Sequence, residues 1–334
     1  MSYGRKIVCL GNGTGQAVLL NGLKGHPYQL MAIVGVTDNG GHSGLIRRAM
    51  DIPSPGDLRH CLAGLADPQE PLARLLGYRF SEGALSGISL GNLMLAALIR
   101  QEGGLSAAAE RLRQMLGIEA QVLPASDEST QVCAELTDGR HITGEWEIIE
   151  RKPRTPIQRI YLERPIRAFP GCLRAIEEAD AIVFSPGSLL TGLVSLLLTE
   201  GIREALAVSR ARKIYVCNLM TQPGQTDGFA LSHHVRTLSA YLPAPPDYVL
   251  ANDGPIPAPL QTLYESSGAH PVEIDPEADL GGRVLRADLA DRSTQALEER
   301  VRPAGEGLKA GLHLITHHPA RLGQALVRII EGQA

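Results

Sequence analysis

Two short stretches place glycines where the chain leaves an apolar run: GNGTGQ at residues 11–16 and TDNGGHSG at residues 37–44. Glycine at a strand end lets backbone N–H groups turn outward and lets an oxyanion approach without meeting a Cβ. In the first stretch Gly11, Gly13 and Gly15 give that freedom and Thr14 adds a hydroxyl, the chemistry of a phosphate cradle at a helix N-terminus. The spacing is neither G-x-G-x-x-G nor a Walker A loop, because Gln16 and Ala17 take the later positions and no Lys-Ser/Thr pair follows. In the second stretch Asp38 stands where an acid in a nucleotide fold meets ribose hydroxyls. Gly40, Gly41 and Ser43 offer further N–H and hydroxyl groups, and of Arg47 and Arg48 on the helix that follows, one is placed to reach a phosphate.

The same design returns later in FSPGSLLTG and CNLMTQPGQTDGF. Ser185, Pro186, Gly187 and Ser188 leave one strand; Asn218, Thr221, Gly224 and Asp227 leave another. Four such loops at four strand ends point to one shared crevice at the carboxyl edge of a sheet, where open α/β folds bind ligands. Other candidates are weaker. The adjacent pairs His233-His234 and His317-His318 diverge on a helix or strand, so capping or solvation fits them better than metal ligation. No cysteine has a histidine close in sequence and no G-x-S-x-G elbow occurs, so nothing supports a covalent nucleophile.

The elements that must hold these loops alternate. Runs such as RKIVCLG, QLMAIVGVT, EADAIVFSPG, RKIYVCNL, PDYVLAND and AGLHLITHH read as buried strands, and amphipathic helical stretches separate them. SPGDLRHCLAGLA reads as a helix with Ser54 as N-cap, Pro55 first and Asp57 in its opening turn. These features predict an α/β, Rossmann-like, doubly wound and mostly parallel sheet over residues 1–334 as a single domain. Between about residues 119 and 165 the pattern changes to alternation around Asp138-Gly139, a hairpin signal, so a small β-rich insert is expected there. Composition is ordinary for a globular chain: 44% hydrophobic, 20% charged and only 4% aromatic, with a single Trp146. A net charge of −4 argues against bulk nucleic-acid binding. The five scattered cysteines suit free thiols in a reducing compartment. The longest apolar region is broken by Ser, Pro and Gly, which predicts no membrane span, and no leader is read at the start. A cytoplasmic protein is the expectation.

Taken together, GNGTG, TDNGGHSG, PSPGDLRHCLAGL, SLGNLMLAAL, SPGSLLTG and NLMTQPGQTDG resemble the bacterial gluconeogenesis factors (YvcK-like proteins), in the superfamily of 2-phospho-L-lactate transferase (CofD-like). The likeness runs in order from residue 5 to about 330. It implies a cytoplasmic regulator of carbon metabolism, cell-wall synthesis and cell shape that binds a UDP-sugar, chiefly UDP-N-acetylglucosamine, and acts through protein partners in wall synthesis; a homodimer is compatible with it. Carried over by position, Gly11, Gly13, Thr14 and Gly15 would hold phosphate, and Asp38, Asn92, Gly187, Ser188 and Asn218 would line the crevice. Tyr264 matches a tyrosine associated with the nucleotide sugar. The chain departs from the family pattern at Asn12, Asn39, Ile88, Gln225, His233 and Thr316-His317-His318. Asn39 in place of an acid marks the TDNGG loop as a binding wall rather than a catalytic one. The lost acids disfavour a Mg²⁺ site, though Asp38, Asp57 and Asp227 remain. Thr316 replaces an arginine tied to nucleotide-sugar binding, and Arg283, Arg286 or another cation is the candidate to replace it beside Tyr264. The alternative activity is a phospholactyl-type transfer from a nucleotide-linked phosphoryl donor with Mg²⁺, Asp38 serving as base or metal ligand. A plain dinucleotide oxidoreductase would explain the first loop and Asp38 but not the later loops.

Overall fold

The structure, a computed structural model, describes residues 4–275, 280–293 and 315–333. The first half runs β1 (Lys6–Gly11), α1 (Gly13–Leu23), β2 (Gln29–Val34), α2 (Gly41–Met50), α3 (Gly56–Leu65), α4 (Pro71–Gly77), α5 (Leu90–Glu102), α6 (Leu105–Met115) and β3 (Gln121–Pro124). An excursion follows: β4 (Val132–Leu136), β5 (His141–Thr143), α7 (Glu145–Glu150) and β6 (Ile157–Leu162). The second half opens with α8 (Pro170–Glu177), β7 (Ala181–Phe184) and a π-helical segment (Leu189–Val194) that α9 (Ser195–Leu197) continues. It closes with α10 (Ile202–Val208), β8 (Arg212–Val216), α11 (Leu231–Ser239), β9 (Tyr248–Asn252), α12 (Ala258–Ser266), β10 (Arg283–Ala287) and α13 (Pro319–Ile330).

Seven strands form one sheet in the order β10-β9-β8-β7-β1-β2-β3, and every pairing in it is parallel. Strand order reverses between β1 and β7, so the loops after these two strands diverge and leave a crevice at the carboxyl edge. Strands covered on both faces must be apolar at every position, and β1 shows how: Ile7 and Cys9 enter one core, Val8 and Leu10 the other. Helix α1 lies close against α13. A Cβ on Gly22 would stand 2.3 Å from the Pro319 carbonyl, and one on Gly323 2.0 Å from the Gly22 carbonyl. That contact fixes the helix whose first turn faces the crevice.

The three-stranded antiparallel sheet β5-β4-β6 sits in the crossover between the two halves. It has a small core of its own, in which Val132, Ala134, Leu136, Ile148 and Ile160 pack on Leu190 and Val194 of the π-helical segment. The expected hairpin is present: β4 and β5 pair antiparallel, and Gly139 takes φ 83° in the turn, where a side chain would be strained. Four readings of the sequence change. Residues Gln121–Pro124 belong to the main sheet, beside β2, so the insert begins after them. The stretch EWEIIE is a helix rather than a strand. Of AGLHLITHH, residues 310–314 lie outside the described residues, and residues 315–318 contribute only an isolated bridge between His317 and Ala290; the edge strand is β10 instead. Ser54 does not cap α3. Pro55 takes the cap position with φ −87°, and the Ser54 hydroxyl donates to Asp38 Oδ2 at 3.3 Å.

Candidate functional site

A cavity of about 710 Å³ opens at the β1/β7 switch point. Gln16 shapes its first wall. Fully buried, it donates from Nε2 to the carbonyls of Cys9 (2.9 Å) and Ile33 (3.0 Å), while Cys61 Sγ donates to its Oε1. Its amide thus ties β1, β2 and α3 together directly behind the first loop. The first turn of α1 contains no acid, and neither its cap residue Asn12 nor any other side chain caps it, so its free N–H groups give this end a positive field. Gly15 lies against the facing loop, where a Cβ would stand 2.0 Å from the Pro186 carbonyl. That facing loop is itself pinned: Gly187 N donates to Asn218 Oδ1 (3.0 Å), and Asn218 Nδ2 donates to the Gly187 carbonyl (2.8 Å).

The second wall is built from the starts of α2 and α3. Asp38 Oδ1 accepts from Gly40 N at 2.8 Å, and a Cβ on Gly56 would lie 2.6 Å from its Oδ2. Asn92 Nδ2 donates to Ser43 Oγ (3.1 Å), and Asn92 Oδ1 accepts from Arg59 Nε (3.1 Å). Of the residues read from the sequence, Gly13, Thr14, Gly15, Asp38, Gly40, Gly41, Ser43, Asn92, Gly187, Ser188, Asn218 and Tyr264 all line the cavity. Gly11 and Arg47 do not. Gly11 is the last residue of β1 and packs on Ser185, whose Cβ would be 2.7 Å from an added Cβ.

Arg47 is turned the other way. It is 8% exposed and donates to the Thr130 carbonyl, to Ser129 Oγ (3.2 Å) and to the Thr37 carbonyl (3.5 Å), fastening α2 to the start of the insert. Arg47→Ala leaves a buried carbonyl short of its donor and is expected to lower stability by about 2 kcal/mol. Ligand affinity should move by less than about threefold, equivalent to under about 0.7 kcal/mol. A larger loss of affinity in calorimetry, with normal urea unfolding, would return Arg47 to the binding residues.

Several lining residues carry no sequence signal: Arg59, His60, Arg79, Glu145, Trp146 and Arg154. Glu145 arrives from the insert, 9% exposed, and accepts from Thr191 Oγ1 at 2.7 Å. Burial first, then the charge of Asp38, raises its pKa from 4.5 to about 7. Asp57 is raised well above its ordinary value by burial, then by Asp38 and Glu145. Asp38 is raised by burial against the pull of Gly40, Ser54 and Ser43, its hydrogen-bond donors, and of Arg47. Crowded carboxylates of this kind hold protons or attract cations. Among the described residues, however, no three His, Cys, Asp or Glu side chains converge so as to hold a metal ion.

The raised Glu145 carboxyl has a consequence for stability. The folded state keeps a proton that the unfolded chain releases, so this group's contribution is present below about pH 4.5 and lost as pH rises through about 7. Glu145→Gln keeps an acceptor for Thr191 and removes the charge. It should raise stability by about 3 kcal/mol at pH 8 and leave it nearly unchanged at pH 4.5. Equal urea midpoints for the two proteins at pH 8 would contradict this.

The two amides standing where acids were expected have a structural explanation. Asn39 Nδ2 donates to Glu147 Oε2 (2.9 Å), and Asn39 Oδ1 accepts from Trp146 N (2.9 Å), clamping α7 to the second wall. An aspartate there would face the Glu147 carboxylate. Gln225 Oε1 accepts from Leu190 N (3.2 Å) and Thr191 N (3.1 Å), and lies 3.2 Å from the Thr191 hydroxyl that Glu145 already binds. A glutamate would crowd Glu145. So Asn39 holds the insert in place against the second wall.

The other departures also resolve. Ile88 is a buried core residue. His233 Nδ1 accepts from Ala230 N, and His318 Nδ1 from Arg321 N, so each serves a helix start. His234 and His317 are buried. Arg283 and Arg286 lie on β10, outside the cavity lining. Among the described residues, Arg154 brings a cation to the same lining as Tyr264; its Nη1 donates to the Ser267 carbonyl (3.4 Å) and lies 3.7 Å from Asp227. Tyr264 is itself buried, its hydroxyl accepting from Ile315 N at 3.0 Å.

Comparison with known proteins agrees with this geometry. The family model described as 2-phospho-L-lactate transferase CofD matches residues 7–290. The "Gluconeogenesis factor" of Bacillus subtilis is 40% identical over 289 residues, 85% of this chain and 90% of its own length. A Thermotoga maritima relative is 44% identical over 273 residues, 81% of this chain and 86% of its own. A crystal structure of a UPF0052-family protein from Bacillus halodurans superposes with a TM-score of 0.87 at 34% identity, covering 97% of this chain and all of that one. With the switch-point crevice in place and these matches spanning most of its length, the chain belongs to the CofD family, in its branch of bacterial gluconeogenesis factors.

Proposed function

We propose that the crevice binds a nucleotide sugar of the UDP-N-acetylglucosamine type, and that the protein is a cytoplasmic regulator of carbon metabolism, cell-wall synthesis and cell shape acting through protein partners. The observation that carries this reading is the acid-free, uncapped first turn of α1 facing the loop pinned by Asn218, across a cavity of about 710 Å³. The free N–H groups suit a pyrophosphate, and the volume suits a nucleotide plus one sugar. Calorimetric titration with UDP-N-acetylglucosamine, with GDP and NAD as comparison ligands and with and without Mg²⁺, tests it. Micromolar binding of the UDP-sugar without metal is expected; absence of that binding, with Mg²⁺-dependent binding of GDP, sinks the reading.

The second reading is a phospholactyl-type transfer from a nucleotide-linked phosphoryl donor. Asp38 and Asp57, partly exposed beside the phosphate loops, favour it, because Mg²⁺ is often held by one or two carboxylates together with substrate phosphates. It requires Mg²⁺-dependent release of a nucleoside monophosphate and loss of that release in Asp38→Asn.

A further inference from the structure

Arg59 is a charged side chain built into the cavity wall. It is 6% exposed, and its stem crosses the start of α5 at Gly91, where an added Cβ would stand 2.8 Å from Arg59 Cδ and 2.6 Å from the Leu76 carbonyl. Its Nε donates to Asn92 Oδ1 (3.1 Å), and Nη2 donates to His60 Nε2 (2.5 Å), which fixes that ring nitrogen as the unprotonated acceptor. Among the described residues the Nη1 group meets no acceptor, and the residue lines the cavity.

Arg79 shares this wall. Exposed in the same cavity, it donates to the Gly87 carbonyl (2.5 Å). Neither arginine makes an ion pair with a described carboxylate. Arg59 has its pKa lowered to about 10, by burial first and by Arg79 second, while the charges of Asp57 and Asp38 pull it back up, so the Arg79 charge is close enough for both guanidinium groups to act on one anion. Asp57 and Asp38 feel the Arg59 charge without forming an ion pair with it, and each crevice acid has its own contacts. Asp57 reaches toward the first loop, where its Oδ1 is 3.3 Å from an added Cβ on Gly13. Asp38 is engaged by Gly40 and Ser54, and Glu145 by Thr191.

We propose that Arg59 and Arg79 form a second anion subsite in the crevice, which takes a carboxylate carried on the sugar part of a ligand, so that among nucleotide sugars a sugar acid is held more tightly than its neutral counterpart. This rests on the nucleotide-sugar reading of the cavity. The guanidinium fork of Arg59 matches a carboxylate edge-on, its stem is pre-ordered by the Gly91 notch and Asn92, and the ordering cost on binding is correspondingly small. The first turn of α1 remains available for the pyrophosphate.

The test compares UDP-glucuronic acid with UDP-glucose by calorimetry on the full chain, with Trp146 fluorescence as an independent readout, since the only tryptophan lines the same cavity. UDP-glucuronic acid should bind about tenfold more tightly, the worth of a hydrogen bond to a charged group. Arg79→Ala should cost UDP-glucuronic acid about tenfold more affinity than it costs UDP-glucose, and Arg59→Lys, which keeps charge but loses the fork, should weaken the acid more than the neutral sugar. Equal affinity for the two sugars in the wild type overturns the subsite while leaving the nucleotide-sugar reading intact. Equal loss of both in Arg79→Ala also overturns it, because Arg79 would then serve the pyrophosphate. The same pair without the nucleotide, glucuronic acid 1-phosphate and glucose 1-phosphate, separates the remaining case. Preference for the acid there, with no binding of either UDP form, sinks the nucleotide reading and supports the subsite; no preference there either sinks both.

Discussion

Gly15→Ala is expected to abolish ligand binding and to lower stability by about 3 kcal/mol, the upper end for forced overpacking. The added Cβ would stand 2.0 Å from the Pro186 carbonyl oxygen, 2.7 Å from the Pro186 carbonyl carbon and 3.2 Å from Gly187 N. All three are backbone atoms, so no side-chain rotation relieves the contact. Nor can the facing loop withdraw freely, because Asn218 holds Gly187 by both its N–H and its carbonyl. The strain therefore falls on the two loops that frame the crevice. Urea unfolding reads the stability, and calorimetry with the nucleotide sugar reads the site. Gly77→Ala is the matched control, since nothing lies within 4 Å of a Cβ added at that helix end. It should be neutral or stabilising by about 0.5 kcal/mol through the unfolded state. If Gly15→Ala unfolds like Gly77→Ala, the close packing of the first and third loops is wrong.

The second large effect is a loss of stability in mild acid carried by two histidines. His234 is fully buried, its Nδ1 donates to the Ala230 carbonyl at 3.0 Å, and its Nε2 has no partner among the described residues. His317 is 4% exposed, with Nε2 likewise unpartnered. Burial is the first cause in both, and it lowers each pKa from 6.5 to about 4. A folded-state value below the unfolded one means the unfolded chain takes up protons first. The contribution is therefore complete above about pH 6.5 and is lost as pH falls toward 4, to about 3 kcal/mol for each histidine. Glu145 works in the opposite sense, gaining stability as pH falls from about 7 to 4.5. For that reason the wild-type curve alone does not isolate the histidines. The informative quantity is the pH dependence of the difference between wild type and the His234→Asn/His317→Asn double variant. Whatever constant penalty the variant carries, its disadvantage should shrink by several kcal/mol between pH 7 and pH 4.5. A difference that stays flat over this range would show that neither ring is held neutral.

The crevice residues divide by the kind of information each required. Gly13, Thr14, Gly15, Asp38, Gly187 and Asn218 were legible because their chemistry is local: a small residue or hydrogen-bonding group directly after an apolar run reads as a strand end, whatever lies elsewhere. Glu145 was not, since a glutamate in an alternating stretch looks like the solvent face of a hairpin. Only the docking of α7 on Asn39 and on the π-helical segment turns it inward. Arg47 misled for the converse reason: beside a glycine-rich loop it reads as a phosphate ligand, but its carbonyl partner at Thr130 lies 83 residues away. Arg59 sits inside a helix that reads as ordinary, and its role depends on a notch at Gly91 contributed by another helix.

The sequence by itself determined the parallel α/β class, the order of the four glycine-bearing loops and the family, because periodicity and turn chemistry are properties of neighbouring residues. The tertiary structure alone decided the charge lining of the crevice, the meaning of Asn39 and Gln225 as amides placed beside the acids of α7, and the burial of His234 and His317. Each of those depends on which side chain a distant segment brings within hydrogen-bond reach, and on how much water that segment excludes. No local pattern encodes either quantity.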